Sequence, residues 1–262
     1  MRIGASTSCF YPLETEKALK KVTELGFERA EVFFNSYSEL QEGFVKKLSA
    51  VVEGSETKII SVHPFSSFLE SNCIFTEYQR RFEDFIEIYR QTCYAAAVLG
   101  AKYVVIHGAL EKPKIHIPDE RYFERFSLLC EIGKREGVAV CQENVNRFKS
   151  QRIEFCKKMR VALGDDFHLV FDVKQALRAG EDPFAFLEEF KNDIVHLHIS
   201  DNGSSGDCLP PGKGSFDFKR LKNIMDGANY KGDAVIEIYS LNYNVEKELK
   251  ESKEFLKALW QM

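Results

Sequence analysis

The chain has 262 residues, of which 44% are hydrophobic and 29% charged, with a formal net charge of −4. This is an ordinary soluble globular balance, at the usual length of one (β/α)₈ barrel. The acidic balance lacks the basic surface of a dedicated nucleic-acid binder, and no apolar run approaches the roughly 18 residues needed to cross a membrane.

Eight short, apolar, β-branched runs predict strands at 2–7 (RIGAST), 28–34 (ERAEVFF), 58–63 (KIISVH), 102–107 (KYVVIH), 138–143, 167–172, 194–200 and 233–238. Helical spacing fills the intervals. In one of them Phe82, Phe85, Ile86, Tyr89, Cys93, Ala96 and Ala97 recur in steps of three and four. Further helices are predicted over Glu14–Leu25, Leu40–Val52, Asp119–Glu136, Gln151–Leu163, Pro183–Lys191, Phe218–Gly227 and Val245–Trp260. Gly26, Gly100, Gly137 and Gly164 each follow a helix, where a left-handed cap favours glycine. Strict β-then-α alternation implies a parallel sheet, and eight repeats close into a barrel, so residues 1–262 read as one α/β domain. The Gly/Ser/Pro-rich stretch 202–215 (NGSSGDCLPPGKGS) falls after the seventh strand, on the ligand-binding rim. Seven scattered cysteines contain no C-x-x-C pair, and the opening MRIGASTSCF lacks a signal-peptide pattern, so a cytoplasmic protein with reduced thiols is expected.

Four polar residues stand at the ends of the last four strands: Glu143, Asp172, His198 and Glu237. Taken singly, the first three have ordinary explanations. Glu143 reads as a loop carboxylate, Asp172 as a helix N-cap and His198 as a hydrogen-bonded core histidine. Glu237 sits inside the apolar run AVIEIY, where an unpartnered carboxylate is costly. Their coincidence at four neighbouring strand ends points to one divalent cation, and the oxygen-plus-imidazole mix suits Mn²⁺, Mg²⁺, Co²⁺ or Zn²⁺. His63 and His107 close strands three and four, where core or capping roles stand beside substrate contact or ligation; if both ligate, Glu143 could bridge a second metal. In LPPGKG, Gly212, Gly214 and Lys213 offer a turn that could bind an anion or simply hold a solvated lysine. Glu31 and His196 are expected inside the barrel as structural groups. Phe10, Phe34 and Phe65 are expected on the rim. Trp260, the single tryptophan, is expected against the outer layer or a second subunit of a homo-oligomer.

The order of MRIGAS, ELGFERAEVFF, VHPF, GAKYVVIHG, QENV, FDVKQA, VHLHISDN, LPPGKGSFDF and VIEIY resembles the xylose isomerase-like barrel superfamily over essentially the whole chain. That superfamily holds sugar isomerases, ketose epimerases, inosose dehydratases and endonuclease IV repair enzymes. The resemblance implies one metal on Glu143, Asp172, His198 and Glu237, with Glu143 and Glu237 as acid and base. It implies a sugar, keto-sugar or polyol substrate, handled by proton transfer through a metal-stabilised enediolate. The nuclease branch, acting on abasic DNA, is the alternative, because its ligand pattern also includes His63 and His107. Its third metal, however, uses a histidine where Gln175 stands, and an Asp and a His where Asp207 and Cys208 stand. Gln175 and Asp207 are therefore expected to face substrate instead. A metabolite-binding barrel without catalysis is a further alternative, disfavoured by two facing glutamates.

Overall fold

The computed structural model describes residues 1–112 and 117–261. Each of the eight predicted runs forms a strand; β3 fills its run, and the other seven are shorter by one to two residues at one or both ends. The strands are β1 (Ile3–Ser6), β2 (Arg29–Phe33), β3 (Lys58–His63), β4 (Tyr103–Ile106), β5 (Ala139–Glu143), β6 (Leu169–Asp172), β7 (Ile194–Ile199) and, last in the chain, β10 (Asp233–Ile236). They close in the order β1-β10-β7-β6-β5-β4-β3-β2, every neighbour parallel. The expected (β/α)₈ barrel is what the chain forms.

The main core lies between the strands and the surrounding helices, where Phe171, Phe186 and Phe190 are fully buried. A separate small cluster, Val105, Cys141 and Val170, fills the barrel interior. Side chains alternate along a strand. The inward position two residues beyond each of these is therefore His107, Glu143 and Asp172. Apolar filling beneath thus fixes which residues face the shared cavity above. Gly137 closes the helix Asp119–Glu136 in the left-handed conformation (φ 76°, ψ 22°), as its position after the last helical turn predicts.

Two elements depart from expectation. The helix Val173–Ala179 follows β6 without a loop, and its seven residues are too few for a readable periodicity. Within 202–215 the chain forms a hairpin of β8 (Asp201–Gly203) and β9 (Gly206–Leu209). All seven cysteines are free and six are buried. Among the described residues, no helix is long and apolar enough to cross a membrane.

Candidate metal centre

Glu143 ends β5, Asp172 ends β6, His198 lies next to last in β7, and Glu237 follows β10. One ligand atom from each comes within 4.8 Å of all the others. The structure therefore brings the four expected residues together in one buried cluster.

Their orientation is fixed from behind. The carboxylate of Glu31, on β2, accepts from His198 Nε2 at 3.0 Å and from Ser61 Oγ at 2.9 Å. A carboxylate only accepts, so the His198 proton resides on Nε2 and Nδ1 is left to face the cavity. Around Nδ1 stand Glu237 Oε2 at 3.2 Å, Glu143 Oε1 at 3.3 Å and Asp172 Oδ2 at 3.8 Å. Three carboxylate oxygens around one bare nitrogen repel unless a proton or a cation sits among them. Asp172 divides its two oxygens. Oδ1 caps the following helix by accepting from the Gln175 amide at 2.9 Å, while Oδ2 belongs to the cluster. Asn144 completes the support: its side chain accepts from the Asp172 amide (2.7 Å) and donates to the Asp172 carbonyl (3.0 Å). Sequence reasoning passed over Asn144, although it stands directly beside Glu143 in QEN.

Glu143 also meets the two rim histidines, with Oε2 3.1 Å from His107 Nε2 and 3.5 Å from His63 Nε2. Ser67 Oγ donates to the Pro64 carbonyl at 2.7 Å, so it accepts from His63 Nδ1 at 2.8 Å. The Nε2 of His63 is left to face the Glu143 carboxylate. This second group, His63, His107 and Glu143, shares Glu143 with the first. Rings close over it: Phe33 stacks on His63 at 4.6 Å, and Phe148 and Phe68 stand edge-on to His107 at 5.6 and 6.3 Å.

Charge in the cavity is distributed unevenly. Burial opposes ionisation of Glu143, but the surrounding imidazoles of His107, His198 and His63 hold its carboxyl well below the usual range. Glu237 is likewise penalised by burial and held low by Lys174 and His198. For His198, burial favours the neutral ring, yet Glu31 and Glu237 raise it well above the ordinary imidazole value. Asp172 carries the excess: burial, reinforced by Glu143 and Glu237 against the pull of Lys174, raises it to about 8. Glu143 Oε2 and Asp172 Oδ2 are buried, with His107 Nε2 at 3.1 Å beside the first and the Lys174 ammonium at 3.0 Å beside the second. Three carboxylates and an imidazole crowded into one group form a donor set that fits a divalent cation.

Residues 19–259 match the xylose isomerase-like TIM barrel family. The chain belongs to that family. An inosose dehydratase of Clostridium botulinum is 26% identical over 255 residues, which cover 85% of this chain and 81% of the relative. A solved 3-keto-D-glucoside 4-epimerase from E. coli superposes with a TM-score of 0.79 at 18% identity, covering 98% and 99% of the two chains. The IOLI protein, solved with a binding zinc atom, gives 0.80 at 14% identity, covering 100% and 98%. At these identities the structural likeness shows the shared barrel.

Within the xylose isomerase-like frame, the remaining expected residues fall outside the cluster. Gln175 Oε1 accepts from the Asn146 amide at 3.1 Å, pinning the loop after β5. Lys213 turns outward to Glu251 at 2.9 Å. The amides of Gly212 and Gly214 both donate to Asp201 Oδ2 at 2.9 Å, so the turn is already filled by a carboxylate and offers no anion cradle. Asp207 pairs with Arg178 at the rim, half-exposed. Cys208 is buried, with its thiol toward the Glu237 carbonyl. Among the described residues, neither Asp207 nor Cys208 joins a group able to hold a metal. Phe34 and Phe10 are core residues, because alternation along β2 turns Phe33 inward in place of Phe34. Glu31 and His196 lie fully buried inside the barrel, and Trp260 packs half-buried on the outer core.

Proposed function

We propose that this protein is a divalent-metal-dependent isomerase or epimerase of sugars, keto-sugars or related polyols, working in the cytoplasm. One observation carries the proposal: Glu143 and Glu237 flank His198 Nδ1 at 3.3 and 3.2 Å, at the carboxyl ends of the barrel strands. The epimerase and dehydratase relatives support it, since epimerisation and loss of water beside a ketone both begin with removal of the neighbouring C–H proton. The zinc in the IOLI structure supports a metal in such a barrel.

A Mn²⁺, Mg²⁺, Co²⁺ or Zn²⁺ ion held by Glu143, Asp172, His198 and Glu237 would supply a Lewis acid beside the substrate carbonyl. The chain's own groups would do the rest. One of Glu143 and Glu237 takes the proton next to the carbonyl, and the other returns a proton to the enediolate. Such placed proton transfer is worth about 10²–10⁴ in rate. Both are held as carboxylates by the cationic groups around them, which suits the base. Phe33 and Phe148, packed on the histidines, keep bulk water from the reacting carbon.

An endonuclease-like phosphodiesterase is the second candidate, favoured by the group of His63, His107 and Glu143. The outward course of Asp207 and the buried thiol of Cys208 weigh against its third metal. Incubation with Mn²⁺ and a panel of ketohexoses, keto-inositols and 3-ketoglucosides in D₂O separates the two. Deuterium entering the carbon next to the carbonyl, and lost in Glu237→Gln, supports the sugar enzyme. Cleavage of abasic duplex with no deuterium exchange would replace it with the nuclease.

A further inference from the structure

Lys174 is a buried lysine inside the candidate metal centre. Its ammonium lies 3.0 Å from Asp172 Oδ2 and 2.9 Å from Glu237 Oε2, with its side chain only 3% exposed. These are the same two oxygens that face His198 Nδ1. In FDVKQA it occupies the second residue of the helix Val173–Ala179, so the cap made by Asp172 holds its backbone beside the cluster. The ring of Tyr239, partly exposed, stands 5.4 Å from the ammonium, and Arg178, one turn on, approaches the same ring at 5.4 Å.

We propose that Lys174 is a built-in competitor for the divalent cation, resting on two of the carboxylate oxygens that the ion would take. The inference depends on the metal proposed above. Two cations cannot share Asp172 Oδ2 and Glu237 Oε2 at full strength, because like charges at contact distance repel strongly in a poorly solvated cavity. Loading therefore moves the ammonium off at least one of them, and the Tyr239 face is an adjacent place for it. The charge count gives the device a purpose. Glu143, Asp172 and Glu237 contribute three negative charges, and a divalent ion alone leaves one uncompensated. With Lys174 beside it, the charge of the three liganding carboxylates is balanced, so an oxygen that turns negative in the reaction meets less repulsion. The ion is held more weakly as a consequence, and Lys174 sets that affinity.

The test is Mn²⁺ titration of chelator-treated protein by calorimetry and electron paramagnetic resonance, for wild type, Lys174→Met, Lys174→Gln and Lys174→Arg. Thermal melts of each metal-free variant establish that it is folded. The proposal expects Met and Gln to tighten Mn²⁺ at least tenfold, while Arg, which keeps the charge, stays within about threefold of wild type. A purely structural lysine would instead make all three variants bind equally or more weakly, and that outcome overturns it. Failure of every form, wild type included, to bind Mn²⁺ would remove the metal itself and this inference with it.

Discussion

Replacing Asp201 with asparagine changes one oxygen for an amide nitrogen and leaves the shape of the side chain alone. The structure makes that exchange expensive. Asp201, directly after VHLHIS, accepts four backbone N–H groups: Asn202 (2.8 Å) and Phe216 (2.9 Å) on Oδ1, and Gly212 and Gly214 (both 2.9 Å) on Oδ2. Asparagine can serve only one of these pairs, and its NH₂ then confronts two N–H donors. Gly214 leaves no room for adjustment, since even a methyl there would collide with the Asn202 carbonyl and with Asp201. An unsatisfied buried donor costs about 1–3 kcal/mol. Water reaches part of this loop, so two orphaned donors should cost roughly 2–4 kcal/mol in all. At about 2–4 °C per kcal/mol for a domain near this size, the midpoint should fall by roughly 5–15 °C. Differential scanning calorimetry of metal-free Asp201→Asn measures it directly. A midpoint within about 2 °C of wild type would show that the carboxylate does not organise the loop.

Other outcomes follow from the same geometry. Glu31→Gln leaves His198 without its carboxylate, and should weaken Mn²⁺ binding by roughly 10–100-fold while the fold persists; unchanged affinity would mean Glu31 does not orient the ring. Burial lowers His196 from 6.5 to about 4, aggravated by His198 nearby. The unfolded chain then binds more protons than the folded one between those values, so the stabilisation is full above pH 6.5 and lost as pH falls toward about 4. Urea unfolding at pH 7.5, 6 and 5 should show a decline of up to roughly 2 kcal/mol from this group. In His196→Gln that decline should be smaller, and an identical pH slope would contradict it.

The strands were legible because apolar β-branched runs ended in polar residues at regular intervals, with glycine closing the intervening helices. The cluster was legible for a related reason: position along a strand and alternation together decide what reaches the rim, and both are written in the order of residues. Phe34 was expected on the rim, but alternation along β2 buries it in the core and turns Phe33 inward to stack on His63. Asp172 showed only half of its role in sequence, because capping and metal ligation use different oxygens of one carboxylate. Lys174 was not readable at all. A lysine at the second position of a short helix looks solvated, and only the folded chain shows its side chain turned back over the strand end. The anion site expected at LPPGKG fails on a long-range partner, Asp201, which lies 11 residues before Gly212 and fills the turn first.

The measurement closest to the central claim is anomalous diffraction at the zinc edge from a crystal grown with Zn²⁺. The account predicts one strong peak per chain at roughly 2.0–2.2 Å from oxygens of Glu143, Asp172 and Glu237 and from His198 Nδ1. Clear density for those four side chains with no anomalous peak among them, at millimolar zinc, would contradict it.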